Sequence, residues 1–99
     1  MLNEDFTKDE QSELLLVNIT EELVKETINS IIPTMNMCNC EICRLNACAI
    51  ALNVLTPHYV TTTKGKLIAK IITEERANQI QVLVETTKAL MIVKEHPLH

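Results

Sequence analysis

The part of the sequence best equipped for chemistry is a run of three closely spaced cysteines. Cys38, Cys40 and Cys43 lie in a Cys-x-Cys-x-x-Cys arrangement, where a loop leads into a predicted helix. Zinc prefers four thiolate or imidazole ligands in a tetrahedron, so three neighbouring thiols and one ligand from elsewhere would close a structural site. We therefore predict a zinc ion at this cysteine knuckle, with a structural and not a catalytic role.

The fourth zinc ligand is left open by the sequence. Cys48 is the nearest candidate, but it lies five positions after Cys43, which turns it about 140° around a helix. That angle aligns it with Leu45 and Leu52, so a small buried core residue is the alternative interpretation of Cys48. The other candidates are the three histidines of the chain, His58, His96 and His99.

Two further interpretations of the knuckle remain. Cys40 and Cys43 match the Cys-x-x-Cys spacing of a thioredoxin-type redox site, but no βαβ pattern surrounds them. Alternatively, the thiols are core residues without a metal, although three oxidisable side chains so close together would be a hazard in apolar packing. Zinc is the interpretation that the spacing favours.

The composition indicates what kind of fold must position these residues. The chain has 99 residues, which suits one domain, and its 46% hydrophobic content is almost entirely aliphatic. One glycine and three prolines leave few tight turns. These features predict an all-α domain of three to four helices with a short extended segment. We expect residues 1–13 to be an acidic tail and residues 14–99 to form the single domain.

Two helices are predicted around the knuckle. The first covers about Asn18–Ile32, because its apolar residues recur on one side, Asn18 or Thr20 can cap it, and Pro33 ends it. The second covers about Glu41–Leu55 and is apolar nearly all round. A helix of that kind is usually buried, so we expect it to be the central element, with a second chain helping to cover it.

The remainder of the chain is predicted to be extended first and then helical. Residues Tyr59–Thr63 are rich in β-branched side chains, which favours a strand that ends in a turn at Gly65. Leu67–Ile72 is ambiguous between strand and helix. A long helix is predicted from about Thr73, as its N-cap, to Glu95.

The last helix carries two apolar ridges. One ridge contains Ile80, Leu83, Val84, Thr87, Leu90 and Met91, and the other contains Val82, Ala89 and Val93. A single core covers one ridge, so the second ridge predicts a symmetric homodimer in which helices of two chains pack together.

Charge and motifs exclude several classes of function. The formal net charge is −4 and acidic residues are concentrated near the N-terminus, which does not suit binding to duplex DNA. No apolar run is long enough for a signal peptide or a membrane span, so we expect a cytoplasmic protein. The sequence has no Ser-His-Asp pattern or glycine-rich phosphate loop, and we expect no enzymatic activity.

A second group of residues could bind a nucleotide. Arg44 offers a planar guanidinium for phosphate or a guanine edge, although a solvated position at a helix rim is the alternative. The residues around Gly65 combine hydroxyls, one aromatic ring and two cations: Tyr59, Thr61, Thr62, Thr63, Lys64 and Lys66. This mixture favours a nucleotide over a nucleic-acid strand, and its alternative is a threonine-rich edge strand with solvated lysines.

The central segment resembles the late competence protein family ComFB. The matching stretches are Cys38–Arg44, Ala49–Asn53 and Pro57–Thr61, with looser similarity at Asn18–Val24 and Glu95–His99. The resemblance covers nearly all of the chain after the acidic tail. It departs from the family at Asn46, where an acid is common, and at Cys48, where an aliphatic residue is common; the second departure favours the core interpretation of Cys48.

The resemblance implies a helical homodimer with cysteine-bound zinc and, in several members, a receptor for cyclic dinucleotides, especially cyclic di-GMP. It gives Arg44 and the Tyr59–Lys66 segment a common ligand with two phosphates and two guanines. We expect such a protein to relay the signal to a protein partner. The alternative is a structural or interaction protein, an accessory factor in DNA uptake, that binds no nucleotide.

Overall fold

The computed structural model describes residues 14–73 and 76–99, which form four helices and a small sheet of two short strands. The elements are, in chain order, β1 (Val17–Asn18), α1 (Ile19–Ile31), a 3-10 turn (Ile32–Thr34), α2 (Glu41–Leu52), β2 (Tyr59–Val60), α3 (Thr63–Thr73) and α4 (Arg76–Glu95). The predicted all-α class is confirmed. Within these residues, no helix is both long and apolar enough to cross a bilayer. The predicted acidic tail, residues 1–13, lies outside the described residues.

Asn18 ties the start of α1 to the second strand. Its side-chain oxygen Oδ1 accepts hydrogen bonds from the backbone N–H of Thr20 at 3.1 Å and of His58 at 2.8 Å. The first bond caps α1, as one of the two predicted caps requires. β1 and β2 are antiparallel, with Asn18 opposite Tyr59. One side chain therefore orients both the first helix and the segment after α2.

Helix α2 buries one face between two other helices. Cys43, Ala47 and Ala51 lie four residues apart on that face and are at most 1% exposed. Both α1 and α4 pack against α2, and small side chains let them approach closely. Leu45, in contrast, is 52% exposed. The helix is central, as predicted, but a single chain does not bury it on all sides. It ends at Leu52, earlier than predicted.

Helix α4 places one of its two predicted ridges in the core. The buried ridge consists of Val82, Ala89 and Val93. The other ridge includes four side chains that are 43–53% exposed, Ile80, Leu83, Val84 and Met91. Leu90, which the helical wheel groups with these four exposed side chains, is instead fully buried. The core is completed by α1, whose Val24 and Ile28 are at most 1% exposed.

Helix α3 begins where the sequence predicts a turn. Gly65 lies in the first turn of α3, and its N–H donates a hydrogen bond to Thr62 Oγ1 at 2.9 Å. A Cβ atom at this glycine would lie 3.1 Å from the same oxygen, so the close approach of the capping side chain favours glycine. The predicted turn is therefore wrong. The ambiguous Leu67–Ile72 segment is helical, and Thr73 belongs to α3 instead of capping the next helix.

Ion pairs link α3 to α1. Lys66 Nζ lies 3.1 Å from Glu22 Oε2, and Lys70 Nζ lies 3.9 Å from carboxylate oxygens of both Glu22 and Glu26. Ala69 is the one buried side chain among those of α3 that the structure describes. Partly exposed ion pairs contribute about 0.2–1 kcal/mol each, so each of these pairs adds only modestly to the packing of α3 on α1.

We expect Thr86→Val to stabilise the protein. Thr86 lies on α4 and is fully buried, and its hydroxyl has no hydrogen-bond partner among the described residues. Leaving a buried hydroxyl without a partner costs about 1–3 kcal/mol, and valine keeps the branched shape without the polar group. The free energy of unfolding, measured by urea denaturation, should rise by about 1 kcal/mol.

Thr87→Val is the matched control, because Thr87 is the next residue on the same helix and is partly exposed. We expect it to change the free energy of unfolding by less than about 0.5 kcal/mol. A decrease for Thr86→Val would mean that the buried hydroxyl makes a stabilising contact.

Candidate metal centre

The loop before α2 brings the cysteines to the start of that helix. Pro33 lies in the 3-10 turn after α1, where its ring prevents the α-helix from continuing. Asn36 has a φ of 53°, in the left-handed region that asparagine adopts more readily than most residues. The chain therefore turns sharply between α1 and the knuckle, and Cys38 and Cys40 lie beside the first turn of α2.

Cys40 and Cys43 are held by the helix itself. Cys40 is the N-cap of α2, and its Sγ accepts a hydrogen bond from the Cys43 N–H at 3.5 Å. Its carbonyl oxygen also accepts from the Arg44 N–H at 3.1 Å. Cys43 is 1% exposed, whereas Cys38 is exposed. The knuckle therefore faces the core on one side and the surface on the other.

A histidine completes a group of four metal-binding side chains. One donor atom each from Cys38, Cys40, Cys43 and His99 lie within 4.8 Å of one another. With Zn–S bonds of about 2.3 Å, sulfur atoms around a tetrahedral zinc would be about 3.8 Å apart. Side-chain rotation that brings the donor atoms about 1 Å closer together would give them this geometry. The donor set of three thiols and one imidazole fits a structural zinc ion.

The three thiols of the knuckle do not ionise equally when no cation is bound. The pKa of the Cys43 thiol is raised to about 11, first by burial and then by the neighbouring Cys40 and Cys38. The pKa of Cys40 is lowered, chiefly because the Cys43 N–H hydrogen-bonds to its sulfur. Three thiolates this close repel one another, and a bound dication would compensate that charge and deprotonate all three.

The structure separates Cys48 from this group. Cys48 is 6% exposed and belongs to the hydrophobic core with Ala47 and Ala51. Burial raises the pKa of its thiol. This placement agrees with the core interpretation of Cys48, and His99 occupies the position of a fourth ligand. Sequence reasoning named His99 as one of three candidate histidines, but spacing could not select it, because α4 brings it back to the knuckle.

Arg44 lies outside the four-residue group and faces a groove between α1 and α2. The groove has a volume of about 190 Å³, and Lys25, Glu41 and Cys48 also line it. Lys25 Nζ pairs with Glu21 at 2.9 Å. Arg44 is partly buried here and has no hydrogen-bond or ion-pair partner for its guanidinium among the described residues.

The other predicted ligand residues are located near β2 and the start of α3. Tyr59 is 60% exposed and Lys64 is exposed. Thr61 accepts a hydrogen bond through its carbonyl, Thr62 caps α3, and Lys66 pairs with a glutamate of α1. None of these five residues lines the groove of Arg44. A single chain therefore does not assemble all six predicted residues into one site.

Comparisons with known proteins point to one family. The sequence model of the family described as "Late competence development protein ComFB" matches residues 17–97. The "Competence protein ComFB" of Bacillus subtilis (strain 168) is 29% identical over 84 residues, which cover 84% of this chain and 86% of that protein. A solved structure entitled "Structural characterization of the late competence protein ComFB from Bacillus subtilis" superimposes with a TM-score of 0.76 at 28% identity, covering 84% and 92% of the two chains.

We expect His99→Ala to weaken zinc binding. A structural zinc site with four ligands contributes roughly 10–16 kcal/mol, so loss of one ligand should reduce affinity by about a hundredfold or more. Competition with a chelator measures this change, and cobalt(II) absorption reports the coordination number independently. His96→Ala is the matched control, since His96 is an exposed histidine three residues away and outside the group. Equal affinities for the two variants would exclude His99 as a ligand.

Proposed function

This chain belongs to the ComFB family of late competence development proteins, and we propose that it is a non-enzymatic cytoplasmic homodimer that binds a cyclic dinucleotide and relays the signal to a protein partner. Cyclic di-GMP is the first ligand to test. In this proposal the zinc ion is structural. The observation that carries the ligand part is the exposed Tyr59 ring beside the cationic first turn of α3.

Several features of that region support an anionic, aromatic ligand. The first turn of α3 contains no acidic residue, and Lys64 is exposed there. The N-terminus of a helix carries a partial positive charge, which favours phosphate. An exposed tyrosine ring offers a stacking surface for a base. To contact a phosphate, Lys66 would have to leave its partner Glu22.

Arg44 would join the same ligand from another chain. It lies in the first turn of α2, eight residues before the helix ends at Leu52, which is about 12 Å along the axis. Tyr59 follows several residues beyond that end. A two-fold symmetric ligand at a symmetric interface could contact the guanidinium of one protomer and the ring of the other.

The proposed dimer rests on apolar side chains that one chain leaves exposed. On α4 they are Ile80, Leu83, Val84 and Met91, and on α3 they are Leu67, Ile68 and Ile71. Large apolar surfaces of this kind are usually covered by a partner. The three exposed side chains of α3 lie on one short helix, so packing of a second chain against it would remove them from water.

Zinc would act on ligand binding through the start of α2. Cys40 caps this helix and Cys43 lies in its first turn, directly before Arg44. A metal that fixes the two sulfurs also fixes the backbone from which the guanidinium projects. Removal of zinc should therefore weaken nucleotide binding together with folding stability.

A second candidate function is an interaction module without a nucleotide ligand, an accessory factor in DNA uptake. Two observations favour it. Thr62 and Lys66 already bind groups of their own chain and are therefore less available to a ligand, and a large apolar surface is exposed. In that case the exposed ridge of α4 would bind a different protein. The two candidates differ in whether a cyclic dinucleotide binds at all.

We expect Leu83→Asp to break the dimer. Leu83 lies in the middle of the exposed ridge of α4, and a carboxylate there would have to be desolvated in a helix-to-helix interface. Size-exclusion chromatography with light scattering at micromolar concentration should give the mass of two chains for the parent protein and of one chain for the variant. Ser30→Asp, an exposed change on α1 and away from the ridge of α4, should remain dimeric. A monomeric parent protein would contradict the proposal.

We expect calorimetry to detect binding of a cyclic dinucleotide and Arg44→Ala to weaken it. Titrations with cyclic di-GMP and cyclic di-AMP to about 100 μM would reveal a micromolar dissociation constant. Loss of a charged hydrogen-bonding group typically removes about 1.5–3 kcal/mol, so the affinity should fall about ten- to hundredfold.

Lys25→Ala is the control for charge, because Lys25 lines the groove of Arg44 but is already paired with Glu21. It should retain most of the affinity. The absence of binding for either nucleotide would favour the interaction module, and full affinity in Arg44→Ala would remove Arg44 from the site.

A further inference from the structure

A cavity of about 190 Å³ lies between the turn that follows α2, the start of α1, and α4. The buried side chains Leu55 and Val82 contribute its apolar part. His58, Asn78 and Gln81 contribute polar side chains at its wall. This cavity is separate from the metal centre and from the groove of Arg44, since they share no lining residue.

Hydrogen bonds hold one wall of the cavity in place. Thr20 Oγ1 donates to the Thr56 carbonyl oxygen at 2.8 Å. The backbone of His58 is bound twice, because its N–H donates to Asn18 Oδ1 at 2.8 Å and its carbonyl accepts from the Ile19 N–H at 2.7 Å. The imidazole therefore projects from a backbone that is fixed to the start of α1.

The polar side chains of the cavity include two amides with unused hydrogen-bonding capacity. Among the described residues, no lysine, arginine, aspartate or glutamate lines it. The side-chain amides of Asn78 and Gln81 have no hydrogen-bond partner among the described residues. An amide presents a donor beside an acceptor, and that pair matches the edge of a purine, where a donor also lies beside an acceptor. An imidazole provides a flat surface on which a base can stack.

We propose that this cavity binds a purine base, with the amides of Asn78 and Gln81 reading its edge and His58 contacting its face. The size supports one ring system: pockets for whole drug-sized ligands measure about 300–1,000 Å³, and this one is smaller. The described lining residues include no lysine or arginine, which favours a base over a phosphate. Tyr59, next in the chain to His58, is exposed outside the cavity, where the rest of a nucleotide would extend.

The inference deepens the proposed function and rests on it for the identity of the complete ligand. In that ligand, one base would enter the cavity while the phosphates remain outside, near the first turn of α3. Uncharged nucleosides test the cavity independently, because they carry a purine and no phosphate.

The experiment is a titration of the zinc-loaded, isotope-labelled full chain with adenosine and with guanosine, followed by amide NMR. We expect saturable shifts of the Asn78 and Gln81 side-chain amide signals for at least one nucleoside, with a dissociation constant of about millimolar for so small a ligand. Gln81→Ala and Asn78→Ala should each weaken binding about two- to tenfold, as loss of one hydrogen-bonding group predicts. No saturable shift with either nucleoside overturns the proposal.

Gln79→Ala is the matched control, because Gln79 is an exposed amide on the same helix and does not line the cavity. It should bind nucleosides as the parent protein does, and an equal loss in this variant would overturn the assignment. Cyclic dinucleotides then separate the two proposals. Unchanged cyclic-dinucleotide affinity in Gln81→Ala and Asn78→Ala would overturn the cavity as the base site and leave the proposed function standing. Nucleoside binding without cyclic-dinucleotide binding would support the cavity as a base site and contradict the proposed function.

Discussion

The close packing of α2 against α1 and α4 is the contact on which the other features depend. Its buried face is made of small side chains, Cys43, Ala47 and Ala51, so three helix axes can approach one another. A larger side chain on this face would have to displace α1 or α4, since protein interiors have little free volume. This contact sets the positions of both ends of α2. The cysteine knuckle lies at one end and the cavity beside α4 lies at the other.

Helix α2 separates those two regions. At its start, Cys40 and Cys43 meet the end of the chain at His99. At its end, Leu55 and the turn that follows form part of the cavity next to α4. The 12 residues of α2 span about 18 Å, so the cysteine knuckle and the cavity do not contact each other. Any coupling between them must pass through the helix and its packing.

Polar contacts and apolar surface are distributed unevenly along the chain. Asn18 and Thr20 fix the start of α1 to the segment that leads into β2, which makes this part well determined. α3, by comparison, pairs with Glu22 and Glu26 of α1, and its side chains Leu67, Ile68 and Ile71 are exposed together with one ridge of α4. The hydrogen-bonded contacts therefore lie at the start of α1, and the exposed apolar side chains lie on α3 and α4.

Local signals in the sequence were sufficient for the all-α class, the cysteine knuckle, a helix cap at Asn18 or Thr20, and the end of the first helix near Pro33. Each depends on a few neighbouring residues: apolar periodicity, ligand spacing, a capping side chain, and a proline ring. Gly65 misled the prediction because glycine usually marks a turn, whereas here its lack of a side chain accommodates Thr62 at a helix start. Tertiary packing decided which ridge of α4 is buried, which histidine reaches the cysteines, and that Arg44 and Tyr59 lie apart. These features join residues distant in sequence, and no local pattern encodes how three helices align.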